Sequence, residues 1–205
     1  HYKDQGCDNA VCLIEKHVNP NIIKNVYPQS LIYQGPISLD ARIRYYDDNW
    51  LRSKISDNDW YINADVDEFT MTDKKLCELI AESKHDHIRG YLVDRHTEDY
   101  HIPINLEGDI WAQFPIESRF SRDNGAHTQK VVAASKEVEI EIGHHGCKSN
   151  DFDSELILPV YHFKWWGTVV DRLEKRNQLD LPWNRELENQ LSVLKSMRAK
   201  SIKVV

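Results

Sequence analysis

Short apolar runs alternate with helix-length amphipathic stretches along the first half of the chain. Apolar runs predict strands at residues 10–14, 31–34 and 60–64, and apolar positions at helical spacing predict helices over residues 39–54 and 73–83. Because strands that alternate with helices are usually joined by crossover connections, this pattern predicts a mainly parallel sheet covered by helices. Ligands of such sheets bind beyond the carboxyl ends of the strands.

The second half of the chain is richer in strand-like segments. They are separated by polar turns and lie at residues 87–93, 117–121, 129–134, 138–142 and 156–163. A helical pattern returns over residues 165–177 and 183–200. We therefore predict one α/β domain over residues 1–164, with a helical C-terminal appendage over residues 165–205 packed on the same domain.

Composition narrows the classes of partner. The chain has 205 residues, of which 26 are basic and 33 acidic, and its net charge of −7 gives no positive footprint for nucleic acid. Since no apolar run approaches the roughly 18–20 residues needed to cross a bilayer, we expect no membrane span in this chain. Four cysteines without C-x-x-C spacing favour reduced thiols, and hence a cytoplasmic protein, free or peripheral to a membrane.

Three carboxylates lie within four residues at Asp65-Val66-Asp67-Glu68, directly after the apolar segment 60–64. Closely spaced carboxylates repel one another and raise one another's pKa, so a hard divalent cation is a natural compensation. A Mn²⁺ or Mg²⁺ ion held by only one or two carboxylates keeps positions open for phosphate oxygens, which favours a nucleotide diphosphate. The alternative is that the acidic run only caps a following helix.

The same acidic run carries a family resemblance. The string Ala-Asp-Val-Asp-Glu-Phe over residues 64–69, after a segment that begins at Trp60, resembles the D-x-D-E-F signature of glycosyltransferase family 2-like and family 92-like enzymes of the GT-A type. Later segments resemble downstream blocks of these families in the expected order, at residues 90–95, 113–115, 130–132, 143–145 and 161–165. The resemblance implies a Rossmann-like α/β fold with a central mixed sheet flanked by helices. The first strand of that fold would precede His1 and is missing from this sequence.

The resemblance also implies an activity. It is the metal-dependent transfer of a sugar from a UDP- or GDP-linked donor to a saccharide or other hydroxyl acceptor, with inversion of configuration. Such a transfer needs a cation to stabilise the departing diphosphate and a carboxylate to take the proton of the acceptor. We expect Asp67 to bind the ion directly and Asp65 to reach the ion or the ribose of the nucleotide.

Several further residues are candidates for this site. In GT-A enzymes a downstream histidine often supplies a third metal ligand, and here His144 is the first candidate and His162 the second. Asp94 and Glu98 are the candidates for the catalytic base, although Asp94 can instead pair structurally with Arg95 or Arg119. The residues expected to contact the nucleotide-sugar, together with Asp65, are Glu15, Arg42 and Lys130.

Two rival interpretations remain open on the sequence. A metal-dependent phosphohydrolase or nucleotidyltransferase also clusters carboxylates at strand ends, but the additional nucleophile or glycine-rich phosphate loop usual in those enzymes is not visible. A non-catalytic module that binds sugar or protein on a GT-A shell is the second rival, and the missing first strand supports it.

Overall fold

The computed structural model describes residues 1–8, 10–14, 19–34, 53, 55–65, 67–97, 108–141, 144–178 and 184–201. Within these ranges the chain is α/β, as predicted. Its elements, in chain order, are β1 (Val11–Ile14), α1 (Asn21–Val26), β2 (Leu31–Gln34), β3 (Trp60–Ile62), β4 (Glu68–Thr70), α2 (Leu76–Glu82), β5 (His87–His96), α3 (Ile110–Gln113), β6 (Ile116–Ser118), α4 (Phe120–Asp123), β7 (Gln129–Ser135), β8 (Phe152–Trp165), α5 (Val169–Asn177) and α6 (Asn184–Ser201).

The strands form two sheets. Strands β1 and β2 pair in parallel, with Val11 opposite Leu31. The other six form a sheet of order β3-β7-β5-β8-β4, with β6 paired to β5. The strand pairing is mixed, as the resemblance implies, since β1·β2 is parallel whereas β3·β7, β4·β8 and β5·β6 are antiparallel. The expectation of a mainly parallel sheet is therefore wrong. The apolar pattern indicates which segments are strands, but it does not indicate which strand lies beside which.

Contact density divides the chain into two compact units. Unit 1 consists of His1–Asn63, Thr72–Gly90 and Lys130–Leu158. Its core includes the run Val131, Val132, Ala133 and Ala134 of β7, each at most 2% exposed. A strand that is apolar at consecutive positions is covered on both faces, which agrees with an interior place in the sheet order.

Unit 2 consists of Ala64–Met71, Tyr91–Gln129 and Pro159–Val205. The two C-terminal helices bury one apolar face each, and they pack with Phe120 and Trp165 in a single cluster. The leucines of α6 in this cluster follow helical spacing at positions 187, 191 and 194. Burying each such side chain contributes roughly 1.5–3 kcal/mol, so this cluster holds the C-terminal end of β8 firmly in unit 2.

Most predicted elements are confirmed, with different ends. The helices predicted over residues 165–177 and 183–200 are α5 and α6, and the strand predicted over residues 156–163 is part of the longer β8. Two strand predictions are wrong. Residues 117–121 divide between β6 and α4, and in the segment 138–142 the described residues show only an isolated bridge between Ile140 and Cys147. The helix predicted over residues 39–54 lies largely outside the described residues.

Candidate metal centre

The acidic motif folds into a turn that is fixed to β8. The backbone N–H of Glu68 donates to the carbonyl of Asp65 at 3.0 Å, which closes the turn, and Glu68 then begins β4. The backbone N–H of Phe163 donates to the carbonyl of Asp67 at 2.8 Å. Because Glu68 also lies opposite His162 in the β4·β8 ladder, the backbone brings Asp67 and His162 together.

His162 is held from its other side by a buried carboxylate. Asp94 lies in β5 and is 1% exposed, and its Oδ1 lies 3.2 Å from Nδ1 of His162. The same carboxylate accepts hydrogen bonds from the indole N–H of Trp165 at 2.5 Å, and from the hydroxyl and backbone N–H of Ser121 at 2.7 Å each. The indole N–H of Trp165 and the two donors of Ser121 therefore hold the Asp94 carboxylate in place independently of His162.

These hydrogen bonds determine the protonation of the pair. Burial opposes ionisation of Asp94, but the hydrogen bond and charge of His162 and the hydrogen bonds from Trp165 and Ser121 outweigh it, so the pKa of Asp94 is lowered. An ionised carboxylate can only accept hydrogen bonds. Nδ1 of His162 therefore carries a hydrogen and donates a hydrogen bond to Asp94. This interaction leaves Nε2 as the ring nitrogen that faces away from Asp94.

Nε2 of His162 faces Asp67. The distance from Nε2 to Oδ2 of Asp67 is 4.0 Å, too long for a hydrogen bond. Neighbouring ligands of one ion at bond lengths of about 2.1 Å lie roughly 3.0–3.4 Å apart, so one ion would bind both atoms only after a small shift of a side chain. A histidine that donates Nδ1–H to a carboxylate and turns Nε2 toward a second carboxylate has the arrangement common among metal-ligating histidines.

The residues predicted for the site fall into three groups. Asp67, Asp94 and His162 come together in unit 2, and Asp65 lies in the same turn with an exposed side chain. His144 and Lys130 are buried residues of unit 1, and their predicted roles stay predictions. Three further candidates lie outside the described residues, namely Glu15, Arg42 and Glu98.

The alternative partners considered for Asp94 are not the ones it has. Arg95 pairs with Glu117 at 2.8 Å, and no arginine is among the hydrogen-bond partners of Asp94 in the described part of the chain. Sequence reasoning missed Ser121 and the indole of Trp165 as these partners. The segment Tyr-His-Phe-Lys-Trp at 161–165 also points to Lys164, because strand alternation puts Lys164 on the same face as His162.

Comparison with known proteins adds no relative. No family model matches the chain. No curated protein and no solved structure matches it significantly either.

In the described ranges, no group of three or more histidine, cysteine, aspartate or glutamate side chains is arranged to hold a metal ion. None of the helices described is both long enough and apolar enough to span a bilayer.

Proposed function

We propose that this chain is a metal-dependent glycosyltransferase of the GT-A type, which moves a sugar from a nucleotide-diphosphate donor to a hydroxyl acceptor. The observation that supports it best is the sequence of contacts from Asp94 to His162 to Asp67. The imidazole whose Nδ1–H donates to Asp94 thus lies beside Asp67, the carboxylate that the D-x-D-E-F motif suggests as a metal ligand.

Asp67 and His162 are the residues that would hold the ion. Two protein ligands leave the remaining positions open, which suits a cation that is completed by phosphate oxygens. The imidazole favours Mn²⁺ over Mg²⁺, because Mg²⁺ takes oxygen ligands. When bound, such an ion stabilises the negative charge that develops on the departing diphosphate.

The rest of this arrangement positions those two ligands. Asp94 keeps the proton of His162 on Nδ1 and so keeps the lone pair of Nε2 directed at Asp67. The N–H of Phe163 holds the backbone of Asp67 in place. Because Asp94 is 1% exposed and already accepts four close contacts, we assign it this positioning role in preference to proton transfer from the acceptor.

The test is nucleotide-sugar binding measured by calorimetry over a panel of UDP- and GDP-sugars, with and without Mn²⁺. Wild type binds one of them only with Mn²⁺, and Asp67→Asn and His162→Gln each weaken that binding by about 100-fold or more, since each removes a ligand. Asp171→Asn is the matched control, because Asp171 is an exposed carboxylate on α5. The proposal fails if wild type binds no nucleotide-sugar, or if the control loses as much affinity as Asp67→Asn.

Product analysis separates the proposed activity from its rivals. Transfer releases a nucleoside diphosphate and a glycosylated acceptor. A phosphohydrolase or nucleotidyltransferase at the same centre would instead break a bond to phosphorus, and a sugar phosphate would be released. Binding without any turnover would favour the non-catalytic module.

A further inference from the structure

The N-terminal turn ends in a backbone arrangement that fixes the position of Cys7. The backbone N–H of Cys7 donates to the carbonyl of Tyr2, and that of Gly6 donates to the carbonyl of Lys3, both at 3.1 Å. These two bonds are those of a Schellman motif, with Gly6 as its left-handed residue at φ +94°. Because glycine adopts this conformation at no steric cost, the local sequence sets where Cys7 leaves the turn.

Gln5 bonds this turn to the beginning of α2. Its backbone carbonyl accepts from the backbone N–H of Cys77, and its side-chain Oε1 accepts from that of Leu76, both at 3.1 Å. The first N–H groups of a helix have no partner within the helix, so Gln5 supplies two of those partners. Leu76 is 1% exposed, which anchors this end of α2 in unit 1. The turn and α2 are therefore held in a fixed register.

The side chain of Cys77 lies directly over Gly6. A Cβ atom placed on Gly6 would lie 2.3 Å from Sγ of Cys77 and 2.7 Å from its Cβ, which is closer than non-bonded atoms approach. Since carbon–carbon bonds are about 1.5 Å long and consecutive Cα atoms lie about 3.8 Å apart, Sγ of Cys77 lies within about 8 Å of the Cα of Cys7. Disulfides join Cα atoms roughly 4.4–6.8 Å apart, so a small movement of the turn brings the two sulfurs to bonding distance.

The two thiols at this contact are chemically available. Cys7 and Cys77 are both free and half-buried, and both belong to unit 1. Burial and then the neighbouring Cys77 raise the pKa of Cys7 to about 11. Because the thiolate is the reactive form and little Cys7 thiolate exists near neutral pH, the pair reacts slowly and stays reduced until an oxidant is in excess.

We propose that Cys7 and Cys77 form a reversible disulfide that fastens the N-terminal turn to α2 under oxidising conditions. The oxidant is a small disulfide such as oxidised glutathione. One cysteine thiolate attacks a sulfur of the oxidant and releases a small thiolate, and the second cysteine thiolate then attacks the protein sulfur of the mixed disulfide and releases another. The two released thiolates take up the two protons that the cysteines lose. The bond closes a loop of about 70 residues and stabilises the fold by restricting the unfolded chain. It does not depend on the proposed glycosyltransferase activity.

The test equilibrates the whole chain with oxidised glutathione, alkylates the remaining thiols and maps the disulfides by mass spectrometry after digestion. Wild type yields a peptide pair that joins Cys7 to Cys77, and dithiothreitol removes it. Oxidation raises the thermal midpoint of unfolding by roughly 5 °C or more, as expected for a loop of this size. Cys7→Ser and Cys77→Ser each abolish both the linked peptides and this rise. Cys147→Ser preserves both and is the matched control, because Cys147 is also a free, half-buried cysteine of unit 1.

Two outcomes would overturn the inference. One is that oxidised wild type contains no peptide pair joining Cys7 to Cys77. The other is that this pair occurs only in disulfide-linked dimers on a non-reducing gel, since the bond would then join two copies of the chain.

Gly6→Ala tests the contact between the turn and α2 directly. The added methyl group displaces the Cys77 side chain, so the disulfide should form about 10-fold more slowly or worse. Gly125→Ala is its control, because Gly125 also has a positive φ but a Cβ there would meet only Nδ2 of Asn189, at 3.9 Å. It should leave the rate of disulfide formation unchanged. Equal rates for wild type and Gly6→Ala would contradict the proposed geometry.

Discussion

Two buried histidines, one in each unit, sit beside an aspartate and differ in what their second ring nitrogen meets. In unit 1, Nδ1 of His87 lies 2.6 Å from Asp86, and Nε2 accepts from Nε of Arg89 at 3.0 Å. The thiol of Cys147 lies 3.5 Å from the same Nε2. In unit 2, His162 has its aspartate on Nδ1 but faces a second carboxylate through Nε2.

The difference separates a closed network from an open one. All the ring nitrogens of His87 are satisfied within the protein, and burial raises the pKa of Cys147, so its thiol is not activated by the histidine beside it. A lone pair of His162 directed at the Asp67 carboxylate is repulsive unless a cation lies between them. A proton or a metal ion can supply that charge, and a metal at this position has to displace the proton.

The largest difference is expected when the aspartate of each pair is removed. Asp94→Ala leaves the indole N–H of Trp165 and both donors of Ser121 buried without a partner, so it destabilises the fold by about 3–5 kcal/mol. Asp86→Ala costs less, about 1–2 kcal/mol, because the Asp86 side chain is 33% exposed and water replaces it. Urea unfolding followed by circular dichroism measures both free energies.

Asp94→Asn is the control for that experiment, since it keeps the volume and part of the hydrogen bonding. It should lie between wild type and Asp94→Ala in stability. Equal losses for Asp94→Ala and Asp86→Ala would mean that the two networks are energetically alike, and the comparison would then say nothing about function.

A smaller effect is expected on metal affinity, and it distinguishes the two histidines by function. Asp94→Asn weakens Mn²⁺ binding by about 10–100-fold, because the amide no longer fixes the proton of His162 on Nδ1. Asp86→Asn, the same change beside His87, leaves Mn²⁺ binding unaltered. Titration of Mn²⁺ followed by electron paramagnetic resonance gives both affinities. Equal weakening by both variants would contradict a metal role for His162.

The sequence predicted the parts of this centre that local pattern encodes. The acidic run at 65–68 and the histidine of β8 were both identified, because a carboxylate cluster after an apolar strand and a histidine within one are visible without a structure. The sequence alone ranks His144 above His162, and the metal role of either histidine stays a prediction. Only the antiparallel ladder that pairs Glu68 with His162 brings the second candidate to Asp67, and strand neighbours are not encoded locally.

The partners of Asp94 show the same limit. Ser121 lies 27 residues away in sequence and Trp165 lies 71 away, so neither hydrogen bond has a local signature. Charge pairing suggested Arg95 as a structural partner, but Arg95 is the next residue in the strand and points to the opposite face, where Glu117 lies across the β5·β6 pair. The face of β5 on which Asp94 lies determines its partners, and the opposite charge of Arg95 does not.

The smallest effect is expected for the exposed pair of His85 and Asp151, which is the solvent-exposed reference for the two buried histidine–aspartate pairs. They lie 2.7 Å apart, and the hydrogen bond from His85 lowers the pKa of Asp151 below its ordinary 3.8. A lowered pKa adds stability above the ordinary value, and this stability is lost as pH falls through the lowered one. We expect His85→Ala to return the pKa of Asp151 toward 3.8, and wild type and variant to become equally stable in acid. Titration by nuclear magnetic resonance measures this pKa. An unchanged value would show that solvent already screens the exposed pair, and that burial is what distinguishes the pairs Asp86–His87 and Asp94–His162 from it.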